Sequence, residues 1–350
     1  MTRWTDFLRT RGASFEGSTV SAFGDPAGEL AGARDEAVVC DLAPLSALAV
    51  EGPDAAAFLQ GQFTSDVDSL AVGASQFSAW CSPKGRVLAN FLLRRLPGDA
   101  FEMLLPGGLL ESVRKRLGMF VLRSKVTLTD ASQAAVRIGV GGPAAGARVA
   151  SAFGSAPALH HSLAVDGGAL IALPGGRFVA LVGPERAEAV WSRLSATRPA
   201  GFPCWQWLTV RAGVPVITPP TQDQFIPQML NLDALDGVSF RKGCYTGQEV
   251  VARTQYLGRL KERLALAHVG GKPPAPGTRL FARPFADQPC GTVVNAAAAP
   301  GGGADLLAVA QTAAIASDAL RLGATDGAAA SLLPLPYALP VAGEPRGRIA

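Results

Sequence analysis

An apolar strand running into Gly-Pro occurs twice, as Val50-Glu51-Gly52-Pro53 and as Val140-Gly141-Gly142-Pro143. This echo supports two similar lobes, although Gly-Pro before a helix also arises for purely local reasons. Proline is tolerated in a first helical turn, where its missing N–H would have no partner anyway, so each Gly-Pro marks a strand-to-helix junction. Around the first junction, residues 46–51 read as a strand, followed by a helix carrying Phe58 and Leu59. Residues 76–80 and 86–95 then form a hairpin about Ser82-Pro83-Lys84-Gly85, with 101–105 as a further strand. A helix from Pro106 carries Leu109, Leu110, Val113 and Leu117 at helical spacing, and 121–129 close the unit. Around the second junction, 136–140 read as strand, 169–173 and 178–182 as hairpin strands, and Gly183-Pro184 opens a helix with Ala187, Val190, Trp191 and Leu194 on one face. Each unit reads as β-α-β-β-α-β, a ferredoxin-like lobe. Residues 1–41 are expected to dock on the first lobe.

After residue 262 the texture changes. An alternating strand over 263–269 precedes Lys272-Pro273-Pro274-Ala275-Pro276-Gly277, and short apolar segments about Leu280, Val293, Leu307 and Leu320 follow between turn residues, which suits a small β-barrel. The Ala/Gly-rich stretch 296–304 reads as a loop, and the residues after Pro340 as disordered. The fold class is therefore α+β with three domains: 1–130, 131–262 and 263–350. Hydrophobic residues at 48% against 17% charged fit a compact chain. No apolar run is long enough to span a bilayer and the first residues carry no secretory h-region, so a cytoplasmic address is expected, with no membrane partner. A net charge of +4 from scattered basic residues argues against direct nucleic-acid binding, and Arg114-Lys115-Arg116 reads as a solvated helix face. Five widely spaced cysteines, without C-x-x-C or a histidine cluster, write neither a disulfide framework nor a local metal site.

The stretch with most chemical content is Lys242-Gly243-Cys244-Tyr245-Thr246-Gly247-Gln248-Glu249. Thr246 and Glu249 have capping-box spacing, Tyr245 is placed to staple on Val250, and Gly258 to end the helix after about three turns. Cys244 then lies just before a helix N-terminus beside Arg241 and Lys242, where backbone N–H dipoles and cations favour a thiolate. An ordinary packed cysteine in a turn is the alternative, but a charged, glycine-punctuated lead-in is poor core material.

These residues, with Phe225-Ile226-Pro227-Gln228, Asn231-Leu232, Gly237-Val238-Ser239-Phe240-Arg241 and Val250-Val251-Ala252-Arg253, resemble the signature of the YgfZ-type folate-binding proteins. These are relatives of the aminomethyltransferase, or T-protein, of the glycine cleavage system. The resemblance extends to Phe58-Leu59-Gln60-Gly61-Gln62-Phe63-Thr64-Ser65-Asp66-Val67, Pro83-Lys84-Gly85-Arg86, Ser124-Lys125-Val126 and Ala212-Gly213-Val214-Pro215. It implies a three-domain cloverleaf, a tetrahydrofolate or related reduced folate as cofactor, and support of iron–sulfur cluster assembly or repair in client enzymes, tRNA-thiolating ones among them. Cys244 would be the reactive thiol, near the tetrahydrofolate pocket.

A folate site wants an aromatic platform, donors and acceptors for ring edges, and cations for the tail carboxylates. Trp205 falls where the family has a folate-contacting tryptophan, while Leu45 stands where a second one is expected. Trp207 reads as packing. Lys242, Arg253, Arg211 and Lys84 are the candidate tail cations, with Gln248 and Glu249 beside them, although Glu249 already has a capping role. His160, His161 and His268 read as structural. Ala89-Asn90 replace an acidic pair of the T-protein, and Arg211-Ala212-Gly213 replaces its Glu-Ala-Gly, so an active aminomethyltransferase is disfavoured. A folate-dependent aminomethyl or methyl transferase and an inert folate-binding module remain the alternatives.

Overall fold

The computed structural model describes residues 3–256, 260–317 and 319–340. The first lobe carries a five-stranded antiparallel sheet in the order Ser75–Cys81, Val87–Leu96, Ala100–Pro106, Leu45–Glu51, Thr127–Asp130. The last four of these, with helices Ala55–Gln60 and Gly107–Gly118, are the expected ferredoxin-like unit. Ser75–Cys81 is one strand more than β-α-β-β-α-β contains, and it lengthens the sheet beyond Val87–Leu96. The closing strand is Thr127–Asp130, shorter than the expected 121–129, because the chain after Gly118 first makes a solvent-facing turn.

The second lobe has a six-stranded sheet ordered Ser162–Val165, Gly168–Leu173, Arg177–Val182, Val136–Gly141, Val38–Asp41, Arg198–Ala200. Here the expectation for residues 1–41 is corrected. Val38–Asp41 is buried throughout and pairs antiparallel with Val136–Gly141 and parallel with Arg198–Ala200, in the second lobe. The helix Arg3–Thr10 follows it there: Trp4 packs edge-on against Trp191 and donates its indole N–H to Asp41 at 2.9 Å. Four wholly buried residues have no solvent face, so they fit only the interior of a sheet.

The Gly-Pro echo has one structural cause in both lobes. Gly52 and Gly142 have φ of +128° and +114°, and an added Cβ would lie 2.2 Å from the Lys125 carbonyl oxygen and 2.7 Å from that of Glu36. Each of those carbonyls leads into the strand beside the lobe's first strand, Thr127–Asp130 in one lobe and Val38–Asp41 in the other. The glycine admits that close approach.

The C-terminal sheet runs Arg321–Leu322, Arg279–Phe281, Gly291–Ala298, Ala304–Gln311, Glu262–Val269, Ala330–Leu333. The small β-barrel of the sequence reading takes the form of a curled half-barrel. The expected loop 296–304 holds at its centre, 299–303, and is strand at its edges, where Ala296 pairs with Leu306 and Ala298 with Ala304. Small side chains suit that edge because the helix Phe202–Arg211 packs directly on Gly291–Ala298. One continuous core joins the first lobe, this helix and the inner face of the half-barrel. No helix among the described residues is long and apolar enough to cross a membrane, and the expected disorder after Pro340 lies outside them.

Candidate functional site

Where the three domains meet, a cavity of about 320 Å³ is lined by Leu45, Phe77, Phe91 and Leu104 of the first lobe. Val179, Trp205 and Thr209 of the second line it too, as do Asn295 and Ala296 of the half-barrel. Its volume and largely apolar wall are those of a small-molecule pocket. Trp205, 4% exposed, presents its ring from the helix Phe202–Arg211. The Arg177 guanidinium lies 5.2 Å from that ring's centroid. Arg177 is a cavity residue that the sequence reading missed, although a lone cation at the head of the apolar run Phe178-Val179-Ala180-Leu181-Val182 was a signal for it. It donates from Nη1 to Thr209 Oγ1 at 2.8 Å and from Nε to Pro174 O at 3.0 Å, while Nη2 has no hydrogen-bond partner among the described residues. Burial brings its guanidinium down to about 9.

Asn90, also at the cavity, is tied at both ends: Nδ2 donates to Pro215 O at 2.7 Å and Oδ1 accepts from Ile217 N–H at 2.9 Å. Asn90→Asp would turn a donor into a second acceptor facing Pro215 O. It is expected to cost roughly 1–3 kcal/mol, read from urea unfolding, and to leave aminomethyl transfer undetectable in a methylene-tetrahydrofolate assay.

Arg211 is held elsewhere. Asp305, 4% exposed in the half-barrel, accepts from Trp207 Nε1 at 2.8 Å, contacts His268 Nδ1 at 2.8 Å and faces Arg211 Nη1 at 3.6 Å. This group clamps the helix Phe202–Arg211 to the half-barrel, which accounts for Trp207 and His268 as structural residues.

The cysteine loop lies at the turn of the hairpin Ser75–Cys81/Val87–Leu96. Phe77 and Asn90 of its strands line the cavity, whereas its turn carries the loop: an added Cβ on Gly85 would sit 2.9 Å from Val250 Cβ. Cys244 is exposed. Two residues earlier, Lys242 Nζ donates to three backbone carbonyls, of Gln60 at 2.5 Å, Phe63 at 2.7 Å and Ser65 at 3.0 Å, and lies 5.1 Å from the centroid of the buried Tyr245 ring. Burial lowers its ammonium to about 8 against the opposing pull of Asp66 and Asp68. Helix Gln248–Tyr256 starts later than the capping-box reading requires. Gly247 takes φ +83°, which sets Thr246 back from the first turn, and Gln248 Oε1 instead accepts from Tyr245 N–H at 3.2 Å. Val250 packs on the hairpin turn at Gly85 and is 38% exposed, and the expected stop at Gly258 lies outside the described residues. Glu249 and Arg253 face solvent.

Of the candidate residues, Trp205 lines the cavity; Cys244, expected near the folate pocket, is not among the cavity's lining residues but gathers with Lys242, Gln248, Glu249 and Arg253 at the loop, and Arg211 is at the half-barrel clamp. Leu45 lines the cavity too, at the position where a second tryptophan was expected.

Residues 10–163 match the GCVT N-terminal domain. The chain is 36% identical over 233 residues to the tRNA-modifying protein YgfZ of Cronobacter sakazakii, covering 65% of this chain and 70% of that one. It is 35% identical over 297 residues to the tRNA-modifying protein YgfZ of Sodalis glossinidius, covering 83% and 90%. With the same protein of Pectobacterium carotovorum the identity is 33% over 293 residues, covering 82% and 87%. Among solved structures it resembles the glycine cleavage system aminomethyltransferase T of Bartonella henselae, with a TM-score of 0.74 over 95% of this chain and 96% of that one, at 17% identity. The three-domain architecture is thus the aminomethyltransferase fold, and the sequence identity across most of these relatives' length makes the chain a member of the YgfZ family.

Proposed function

We propose that this chain binds a reduced folate against Trp205 and, through Cys244, supports the assembly or repair of iron–sulfur clusters in tRNA-thiolating client enzymes. The observation that carries the reading is the exposure of Cys244 while Cys40, Cys81, Cys204 and Cys290 are buried. Burial pushes the thiols of Cys40 and Cys81 well up, and that of Cys204 up to about 12, so these sulfurs are inert as nucleophiles. Cys244 is the thiol a macromolecular partner can reach. A single cysteine cannot hold a cluster, so its contact with a client is transient. The relatives' description as tRNA-modifying proteins supports the same direction.

The cavity fits the head of a folate on three counts. Trp205 supplies a flat aromatic wall, the lining is apolar, and the Arg177 Nη2 lacks an acceptor of the kind a polar ring edge offers. A reduced folate brings one-carbon chemistry, and these residues bind and orient it. The reading places Trp205, Leu45 and Arg177 at the folate, and keeps Lys242, Gln248, Glu249 and Arg253 with the thiol. A transferase activity has less support, because Asn90 is no base and both its polar atoms are engaged.

Complementation tests the proposal. In a strain lacking its own copy, the chain is expected to restore thiolated nucleosides in tRNA, and failure to do so rejects it. For the folate, calorimetric titration with tetrahydrofolate is expected to saturate. Leu45→Trp, which adds a second aromatic wall, is expected to tighten binding roughly fivefold, since one aromatic stack contributes about 1 kcal/mol beyond burial. An unsaturable titration in both proteins removes folate from the reading.

A further inference from the structure

Exposed apolar surface is unevenly distributed on this molecule. Eight large apolar side chains are exposed among the described residues, and five of them, Met119, Phe120, Leu122, Val250 and Tyr256, sit on two segments that flank one end of the hairpin Ser75–Cys81/Val87–Leu96. Phe120 packs edge-on against Trp80 at 6.2 Å, and Trp80 donates to Gln62 Oε1 at 3.3 Å, within the same turn whose carbonyls hold Lys242. Val250 rests on Gly85 at the hairpin's tip. The turn after helix Gly107–Gly118 and the cysteine loop are therefore neighbours across that turn.

The first segment is built to project. Met119 is 63% and Leu122 86% exposed, and Leu122 adopts φ +46°, a left-handed conformation that costs a non-glycine residue about 1 kcal/mol. Cations rim it: Lys115, Arg116, Arg123 and Lys125 are exposed and make no ion pair among the described residues, while Arg114 is already joined to Glu111 at 3.0 Å. An apolar centre inside a charged rim is the anatomy of a protein interface, and one partner's footprint is large enough to span both segments. A phosphate backbone, by contrast, is gripped by cations and gains nothing from a projecting leucine.

We propose that Met119, Phe120 and Leu122, with the cations beside them, dock a client protein whose contact surface is apolar with an acidic rim, and so bring it to Cys244. The destination at the thiol rests on the function proposed above, whereas the platform itself rests on the patch.

Two variants test it, Met119→Asp/Leu122→Asp and Arg116→Glu/Arg123→Glu, against Val72→Asp and Leu159→Asp, which are also exposed but lie outside the patch. In the complementation strain both patch variants are expected to lower tRNA thiolation at least tenfold, and both controls to leave it unchanged. Iodoacetamide should alkylate Cys244 in the purified patch variants at the wild-type rate, with unchanged thermal melting, because a small electrophile needs no docking. Normal thiolation with the patch variants overturns the platform. So does wild-type binding to purified tRNA or to phosphatidylglycerol vesicles that the patch variants abolish, since the occupant is then nucleic acid or lipid. If Cys244→Ser is silent while the patch variants are deficient, the thiol's role falls and the platform stands.

Discussion

Cys244→Ser is expected to abolish the restoration of tRNA thiolation, down to the level of the strain without the protein, while the melting temperature stays within about 2 °C of wild type. The substitution exchanges one sulfur for oxygen on an exposed side chain that makes no hydrogen bond among the described residues, so the folded state loses almost nothing. The function loses its nucleophile, because a serine hydroxyl is a far weaker nucleophile than a cysteine sulfur. Thiolated nucleosides quantified from total tRNA, alongside circular-dichroism melts of the purified variant, give both readouts. Wild-type nucleoside levels with the serine variant would remove the cysteine from the mechanism.

Two residues away the expectation is reversed. Lys242→Met should destabilise the fold by roughly 2–3 kcal/mol, because the carbonyls of Gln60, Phe63 and Ser65 lose a charged donor shared among them. Urea unfolding measures the loss, and an unchanged midpoint would mean that the ammonium does not hold the turn. The same lysine gives stability a pH signature. Its folded value, about 8, lies below the ordinary 10.5, so between those values the unfolded chain holds the proton more tightly than the folded one. Stability should therefore rise as pH increases through that window, and this contribution should be absent below about 8. The methionine variant should lack that slope.

This pairing explains why lysine and cysteine stand so close in the motif. Lys242 fixes the loop to the turn 60–65, and Cys244 then emerges from a pinned backbone. Residue types had suggested the opposite emphasis for Lys242, as a cation for a ligand carboxylate. Side-chain chemistry names what a lysine is able to bind, but its neighbours in space decide what it does bind.

Much was legible in local pattern. The Gly-Pro junctions, the hairpin about Ser82-Pro83-Lys84-Gly85 and the leucines of helix Gly107–Gly118 each lie where periodicity and turn chemistry put them. The helix after Cys244 was legible too, although Gly247 displaced its start and set aside the Thr246–Glu249 cap. The strand Ser162–Val165 was not, since short half-buried edge strands carry little periodic signal.

By itself, the order of residues determined two strand-and-helix lobes, a β-rich third domain and a distinctive cysteine among glycines and cations. Only the tertiary structure decided that Val38–Asp41 completes the second lobe, that Arg177 stands beside Trp205, that Asp305 gathers Trp207, His268 and Arg211, and that the cavity is lined by the strands of the same hairpin whose turn meets the cysteine loop. Periodicity records how a segment meets its own near neighbours. Pairings between residues far apart in the chain depend on the packing of whole domains, and they leave no mark on the spacing of either partner.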